Sequence, residues 1–170
     1  MENTPRFEEP TSPQEKLSFE PRTVAYRATA GEVAKTRNLD EVRRANELQN
    51  REVFENENGL GAIMEVGQDG KPTVKTYWDQ EGRVCKTEFI GDRGAVGTDG
   101  ITNIYEYDEK GRLSNDYQLI HPKGEEAKMF RGSEYEYLPS RPDQQYTEHV
   151  TKIDGSKETL TYGDRQKKNK

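Results

Sequence analysis

Two segments of this chain share the pattern Asp-x-x-Gly-Arg, and this pattern constrains the fold more than any other feature of the sequence. The segments are YWDQEGRV at 77–84 and EYDEKGRL at 106–113, which align with a shift of 29 residues (77 to 106). In a three-residue hairpin loop, a type I turn is followed by a residue in the left-handed conformation, which glycine adopts most easily. The pattern therefore predicts two tight β-hairpins of the same construction.

Each residue of the pattern has a role in such a turn. Gly82 and Gly111 fill the left-handed position. Asp79 and Asp108 stand at the first turn position, where a carboxylate accepts backbone N–H groups of the turn itself. The flanking residues then pair across the strands, acid with arginine and aromatic with aliphatic, and each pair contributes about 1 kcal/mol or less. We interpret the pattern as architecture and not as a set of reactive groups.

A further segment, SEYEYLPSR at 133–141, aligns with the second copy at a shift of 30 residues (103 to 133). It retains Tyr135 and Tyr137 but has neither the aspartate nor the glycine. It is at most a degenerate third copy, and a repeat of this length is typical of duplicated hairpins.

These motifs carry a family resemblance. YEYDEKGRL at 105–113 resembles the YD repeat of RHS proteins, whose copies run as tyrosine, aspartate, two variable residues and Gly-Arg-Leu, and YWDQEGRV is similar with Trp78 in the tyrosine position. The same segments resemble the hairpin repeats of MORN-like and related antitoxin proteins. RHS proteins use long arrays as shells around toxins, which two copies cannot build. The resemblance implies stacked hairpins in a meandering sheet, without catalytic residues of their own.

The chain from 59 to 163 consists of short alternating runs separated by turn signals. GLGAIMEV at 59–66 is one such run, and Asp69-Gly70 follows it as a predicted two-residue turn. About eight short strands joined by tight turns are typical of an all-β arrangement. We therefore expect a mostly β (α+β) fold: an antiparallel meander or a half-open barrel of repeated hairpins.

One helix is expected before the sheet, over residues 38–58. Asn38 is a suitable N-cap, and acidic residues follow in the first turn, where negative charge suits the helix dipole. Asn58-Gly59 is a plausible stop, because both residues tolerate the left-handed conformation of a C-cap. The apolar stripe is narrow and predicts packing on one face of a sheet.

Residues 1–37 are predicted to be a flexible, disordered leader, and 164–170 a disordered basic tail. Four of the eight prolines lie in the leader, and no apolar period persists there. The start has no apolar signal region and no apolar run is long enough to span a bilayer, so we expect a cytoplasmic protein with no membrane association.

The aliphatic core is small, since Val, Ile, Leu and Phe make up 28 of the 170 residues. Aromatic residues therefore matter more than usual, and all nine tyrosines except Tyr26 lie between 77 and 162. Four of the tyrosines and the single tryptophan suggest an aromatic stripe that either forms the core or binds sugar, peptide or a partner surface. Its candidate residues are Trp78, Tyr105, Tyr107, Tyr135 and Tyr137.

A second candidate site is the loop GDRGAVGTDG at 91–100, which has glycine at every third position. It has neither the lysine nor the strand-to-helix context of a phosphate-binding loop. Long loops are often functional, so we expect a partner contact there through Asp92, Arg93 and Asp99, although an unengaged mobile hairpin loop would explain the same composition.

Few residues suit catalysis. His121 and His149 are the two histidines, and Cys85 is the one cysteine, so no cysteine-based zinc site can form. Cys85 lies opposite Tyr77 in the predicted hairpin and is expected to be inert. A hydrolase or lyase on an acid pair such as Asp92 and Asp116 is supported only by their closeness in sequence. We predict no enzyme activity, no metal and no cofactor.

The charge is mildly acidic, with 32 acids against 26 bases, and gives no clustered basic face for nucleic acid. The function that this composition and the hairpin repeats favour is a non-catalytic protein–protein interaction module, of the immunity or antitoxin type. The alternative is a small-ligand-binding β-barrel lined by aromatics and gated by 91–100.

Overall fold

The described part of the chain forms one antiparallel sheet of nine strands, arranged in sequence order and preceded by a helix. The computed structural model describes residues 28–137 and 146–162. The elements are α1 (Leu39–Leu48), β1 (Val53–Asn56), β2 (Gly59–Val66), β3 (Pro72–Trp78), β4 (Val84–Ile90), a 3₁₀ turn (Gly91–Arg93), β5 (Thr98–Tyr107), β6 (Leu113–Pro122), β7 (Lys128–Tyr137), β8 (Tyr146–Lys152) and β9 (Lys157–Tyr162).

This arrangement confirms the predicted antiparallel meander. Each strand pairs with the one before and the one after it, and β1 and β9 are the edges of the described sheet, which is not closed into a barrel. Connections in a meander alternate between two ends of the sheet. We call the end with the turns 79–83 and 108–112 the hairpin end, and the end with the β2–β3, β4–β5, β6–β7 and β8–β9 connections the tip end.

The apolar core lies between α1 and the first strands. Asn38 caps the helix by accepting the N–H of Asp40 at 2.8 Å on its side-chain oxygen. The helix then presents Val42 and Ala45 to the sheet. A buried cluster forms around these two side chains; its members are Val42, Ala45, Leu60, Ala62, Trp78 and Val84. In the described residues, no helix is both long and apolar enough to cross a membrane.

The helix is shorter than the sequence predicts, and the prediction of a helix over 38–58 is wrong from residue 49 onward. Asn50 takes a left-handed conformation (φ 59°) and turns the chain. Residues 53–56 then pair with β2 as its first neighbour, and the Phe54 ring lies directly over Gly61, which has no side chain to obstruct it. Pairing and ring packing outweigh the helix propensity of this segment, as tertiary context often does.

The predicted leader is also wrong for its last ten residues, 28–37, which lie across the hairpin end. The Ala34 N–H donates to the carbonyl of Gly111 at 2.7 Å, and the Arg37 N–H donates to that of Glu81 at 2.8 Å. Val33 forms an isolated bridge with Arg112. We call residues 28–37 the N-terminal strap. The rest of the predicted leader (1–27) and the predicted tail (164–170) lie outside the described residues.

The Asp69-Gly70 turn has three loop residues and not two. Gly67 donates its N–H to the carbonyl of Lys71 at 2.9 Å, and Gly70 donates back to Gly67 at 3.0 Å, so 68–70 form the loop. The turn between β8 and β9 is closed by the same pair of backbone bonds. One three-residue turn geometry therefore recurs at both ends of the sheet.

Candidate functional site

The aspartates of the repeated pattern are used by their own turns. Oδ1 of Asp79 accepts the backbone N–H groups of Glu81 at 3.0 Å and Arg83 at 2.9 Å, and its Oδ2 accepts Nε of Arg83 at 2.9 Å. Asp108 makes the equivalent three bonds, to Lys110 and Arg112, each at 2.9 Å. The two hairpins are the same structure built twice.

Each hairpin is tied to the next one by a tyrosine. The guanidinium of Arg83 lies 4.7 Å from the ring centre of Tyr107, and that of Arg112 lies 4.4 Å from the ring of Tyr137. The Tyr107 hydroxyl donates to the carbonyl of Val84, and the Tyr137 hydroxyl makes the matching bond one repeat later. The degenerate third copy lacks the Asp-x-x-Gly-Arg turn, but its Tyr137 still contacts Arg112 and Leu113 of the preceding hairpin.

Gly82 and Gly111 occupy the left-handed position of these turns, with φ of 73° and 80°. Gly82 also lies under the strap, where a Cβ atom would come within 2.3 Å of the Arg37 carbonyl oxygen. At Gly111 the nearest atom would be 3.4 Å away, on Val33. The strap therefore approaches one repeat more closely than the other.

The five candidate aromatic residues share the α1-bearing face of the sheet, but they have separate tasks. Trp78 is buried in the core, and Tyr105 packs against that core. Tyr107 and Tyr137 form the ties between hairpins, and Tyr135 donates its hydroxyl to Oδ2 of Asp116 at 2.8 Å. The structure thus places these rings in packing and bonding roles along the whole sheet.

Two tyrosines that the sequence analysis did not select extend the aromatic set over β7–β9. The Tyr146 ring lies 6.0 Å from Tyr135, 5.8 Å from Tyr137 and 4.7 Å from Tyr162, the last pair stacked. A hydrogen bond to the Glu148 carboxylate, together with burial, raises the pKa of Tyr162 to about 12. Burial, aided by Asp116, also raises the pKa of Tyr135. These phenols are protonated donors at neutral pH.

The loop at 91–100 is fastened to the sheet, and the part from Thr98 to Gly100 belongs to β5, which corrects the predicted loop boundary. Oδ1 of Asp92 accepts the N–H of Gly97 at 3.0 Å and closes the loop. Arg93 donates from Nε to Glu65 at 3.1 Å, which joins the loop to β2. Asp99 is exposed on β5. Asp92 and Arg93 lie in the 3₁₀ turn of this loop, and Asp99 lies at the start of β5.

Beside this loop the structure shows a feature that sequence reasoning missed. Among the described residues, seven large apolar side chains are between 39% and 88% exposed, and five of the seven lie at the tip end of the sheet. We call these five the apolar tip row: Val66, Val96, Met129, Phe130 and Ile153.

Charged residues around the tip row form ion pairs with one another. Lys128 pairs with Glu125 at 2.9 Å, beside Met129 and Phe130. Lys152 pairs with Glu158 at 3.5 Å beside the β8–β9 turn. These two pairs place charges of both signs beside the row.

The residues considered for catalysis are engaged in other contacts. Cys85 lies at a bulge, its thiol 3.5 Å from the carbonyl of Tyr77, while Lys86 takes the position opposite Tyr77 that was predicted for the cysteine. Burial raises the pKa of the Cys85 thiol to about 11, which keeps it protonated at neutral pH. His121 lies 2.8 Å from the Thr102 hydroxyl, and His149 lies 3.3 Å from that of Thr159.

The acid pair of the sequence analysis is divided between two elements. Asp92 closes the β4–β5 loop, whereas Asp116 lies within β6, opposite Ser133. Among the described residues, no group of three or more His, Cys, Asp or Glu side chains is arranged to hold a metal ion.

Fold and turns together define an open antiparallel meander of Asp-x-x-Gly-Arg hairpins, with one helix on the first strands and a strap across one end. Comparison of the chain with protein-family models, with curated proteins and with solved structures finds no match.

Proposed function

We propose that this protein is a non-catalytic interaction module that binds a protein partner through the apolar tip row. The observation that carries the proposal is the position of the row. Exposed apolar side chains are common singly, but a set collected at one end of a sheet is typical of a contact surface. Here five such side chains lie in or near the four connections of the tip end.

The tip row is held by closed turns, which lowers the cost of binding. The Asp92–Gly97 bond closes the loop that carries Val96, and the Lys152–Ser156 bond at 2.9 Å closes the turn that carries Ile153. Binding a partner to ordered loops loses less conformational entropy than binding to mobile ones. Apolar burial then contributes about 25 cal/mol for each Å² removed from water.

The paired charges around the row favour a protein partner with an apolar contact surface. A nucleic acid would require a clustered basic face, whereas Lys128 and Lys152 beside the row are paired with glutamates. Interfaces between proteins commonly combine an apolar centre with a polar rim. The resemblance of the hairpins to antitoxin repeats supports an immunity-type or antitoxin-type partner as the specific form of this proposal.

A capture experiment with matched variants tests the proposal. The full-length protein, Val96→Asp and Leu48→Asp are immobilised separately, and the proteins that each retains from native lysate are quantified by mass spectrometry. Val96 is 88% exposed in the tip row and Leu48 is 58% exposed at the end of α1, so neither substitution should unfold the protein.

We expect a protein that the wild type and Leu48→Asp retain equally and that Val96→Asp loses by tenfold or more, about 1.4 kcal/mol. Equal retention by all three proteins would place the contact elsewhere. Loss with Leu48→Asp and not with Val96→Asp would move it to the helix, and either result would overturn the proposal.

A further inference from the structure

A small cavity lies at the hairpin end, between the N-terminal strap and the first repeated hairpin. Its volume is about 220 Å³, somewhat below the range of about 300–1,000 Å³ that holds drug-sized ligands. Apolar groups form most of its wall, among them Ala28 and Ala34 of the strap, Val84 of β4 and Tyr107 of β5. The cavity therefore has room for a small molecule with a short hydrocarbon body.

Hydrogen bonds hold the two walls of this cavity in place. On the strap side, the N–H of Ala34 donates to the carbonyl of Gly111 at 2.7 Å. On the hairpin side, the Tyr107 hydroxyl donates to the carbonyl of Val84. Ala34 and Val84 are both buried. Because the walls are already ordered, a ligand that enters between them costs little conformational entropy.

Arg37 supplies the cavity with a buried donor. Its side chain lines the cavity, and its Nη1 is buried without a hydrogen-bond partner among the described residues. Burial lowers the pKa of Arg37, whereas the Glu41 carboxylate on α1 raises it by a smaller amount. A buried donor without an acceptor is costly, and more so when it carries a charge. An acceptor placed in the cavity would therefore stabilise the Arg37 guanidinium.

The carboxylates near the cavity already have donors, whereas Nη1 of Arg37 has no acceptor in the described part of the chain. Asp79 and Glu81 bond to the Arg83 guanidinium at 2.9 Å and 3.4 Å. Glu32, the acidic residue of the described lining, accepts a backbone N–H of the strap at 3.2 Å. A ligand with an acceptor therefore completes a hydrogen bond here, while a ligand with only donors meets acceptors that are already engaged.

We propose that this cavity binds a small monocarboxylate with a short hydrocarbon body, and that Arg37 holds its carboxylate. Hydrogen bonds between a guanidinium and a carboxylate are charge-assisted and stronger than neutral ones. The hydrocarbon body packs against Val84 and the Tyr107 ring, where it is removed from water. A neutral carbonyl compound of the same size is the competing occupant that the experiment must separate.

Titrations followed by backbone amide resonances in ¹⁵N NMR spectra give a direct test. The probes are isovalerate, its neutral amide isovaleramide, its cationic analogue isopentylamine, and inorganic phosphate as an anion without a hydrocarbon body. We expect isovalerate to shift the amide resonances of Ala34, Gly82 and Val84 in a saturable manner. It should bind at least tenfold more tightly than isovaleramide, and isopentylamine and phosphate should leave these resonances unchanged.

Variants then locate the site. Arg37→Gln removes the charge and should weaken the binding of isovalerate about tenfold or more. Arg43→Gln is the matched control, because Arg43 lies on α1 outside the described lining and pairs with Glu55 at 3.5 Å. It should bind like the wild type. Thermal unfolding checks that each variant is folded, and isovalerate should raise the midpoint of the wild type but not that of Arg37→Gln.

Three results would overturn the inference: isovalerate leaves these resonances unchanged, one of the other three probes binds as tightly as isovalerate, or Arg37→Gln binds isovalerate as tightly as Arg43→Gln. The comparison of probes uses the wild type, so it decides the matter even if Arg37→Gln does not fold. Because the cavity and the apolar tip row lie at opposite ends of the sheet, failure here leaves the capture experiment unaffected, and the reverse also holds.

Discussion

Substitution of Gly82 by alanine tests whether the strap and the repeated hairpins are one packed structure. Gly70, Gly82 and Gly111 have nearly the same left-handed conformation, with φ of 78°, 73° and 80°. They differ in surroundings. An added Cβ would meet nothing within 4 Å at Gly70, an atom at 3.4 Å at Gly111, and the Arg37 carbonyl oxygen at 2.3 Å at Gly82.

The expected losses of unfolding free energy follow from this comparison. All three alanine variants bear the cost of a left-handed non-glycine residue, about 1–2 kcal/mol. Gly82→Ala must also displace the strap and with it the 2.8 Å bond from Arg37 to Glu81, which contributes about 1 kcal/mol. We therefore expect Gly82→Ala to lose about 1–2 kcal/mol more than Gly70→Ala, with Gly111→Ala close to Gly70→Ala.

Urea unfolding followed by tryptophan fluorescence measures these differences, because Trp78 is buried in the core next to the Gly82 hairpin. The denaturant dependence should be equal in the three variants, so that midpoints report stability. Equal losses for Gly82→Ala and Gly70→Ala would refute the reasoning, since they would show that the strap does not press on the turn.

Three further outcomes are expected. Tyr137→Phe should lower the unfolding free energy by about 1–2 kcal/mol in urea, because the hydroxyl donates to Leu113 and accepts from the Gly31 N–H; an unchanged midpoint would contradict this. Cys85, with its pKa raised to about 11, should react slowly with iodoacetamide in the native protein and rapidly in urea, and equal rates would show that the thiol is not buried. Burial and Glu88 raise the pKa of Tyr77 to about 12, above the unfolded value of about 10. The contribution of this phenol to the unfolding free energy is therefore present below about pH 10 and lost between about pH 10 and 12. Tyr77→Phe should lose less unfolding free energy than the wild type over that range, and equal pH profiles would contradict this.

Turn chemistry was the part of the fold that could be predicted from sequence, because it depends on residues that are neighbours in the chain. Asp79, Gly82 and Arg83 lie within five positions, and the bonds among them need no distant partner. Strands that are neighbours in the chain also pair with one another, so the pattern of short strands and tight turns was enough to predict the meander.

Features that depend on distant contacts could not be predicted in this way. Helix propensity alone predicts a helix through residues 49–58. In the structure, Phe54 packs on Gly61 and the segment pairs with β2 as strand β1. The strap has an unremarkable composition, and contacts with distant residues, among them Glu81, Gly111 and Tyr137, order it.

The candidate binding surface could not be recognised without the strand order of the sheet. The apolar tip row combines residues as distant in sequence as Val66 and Ile153, which alternate connections bring to one end. Sequence reasoning selected the loop that carries Val96 but not the row. Tyr135 was selected for its ring, while the pairing of Asp116 with Ser133 and of Tyr135 with Glu148 could be seen only in the folded sheet.

The central claim is that the repeated aspartates stabilise the fold whereas the opposite end of the sheet binds the partner. The most direct measurement determines, for Asp108→Ala and Val96→Asp, both the unfolding free energy and the retention of the captured protein. Asp108→Ala should lose about 1–3 kcal/mol of stability, through its three bonds, and still retain the protein under folding conditions. Val96→Asp should keep its stability and lose retention. The opposite pattern, with binding lost in folded Asp108→Ala and kept in Val96→Asp, would contradict the account.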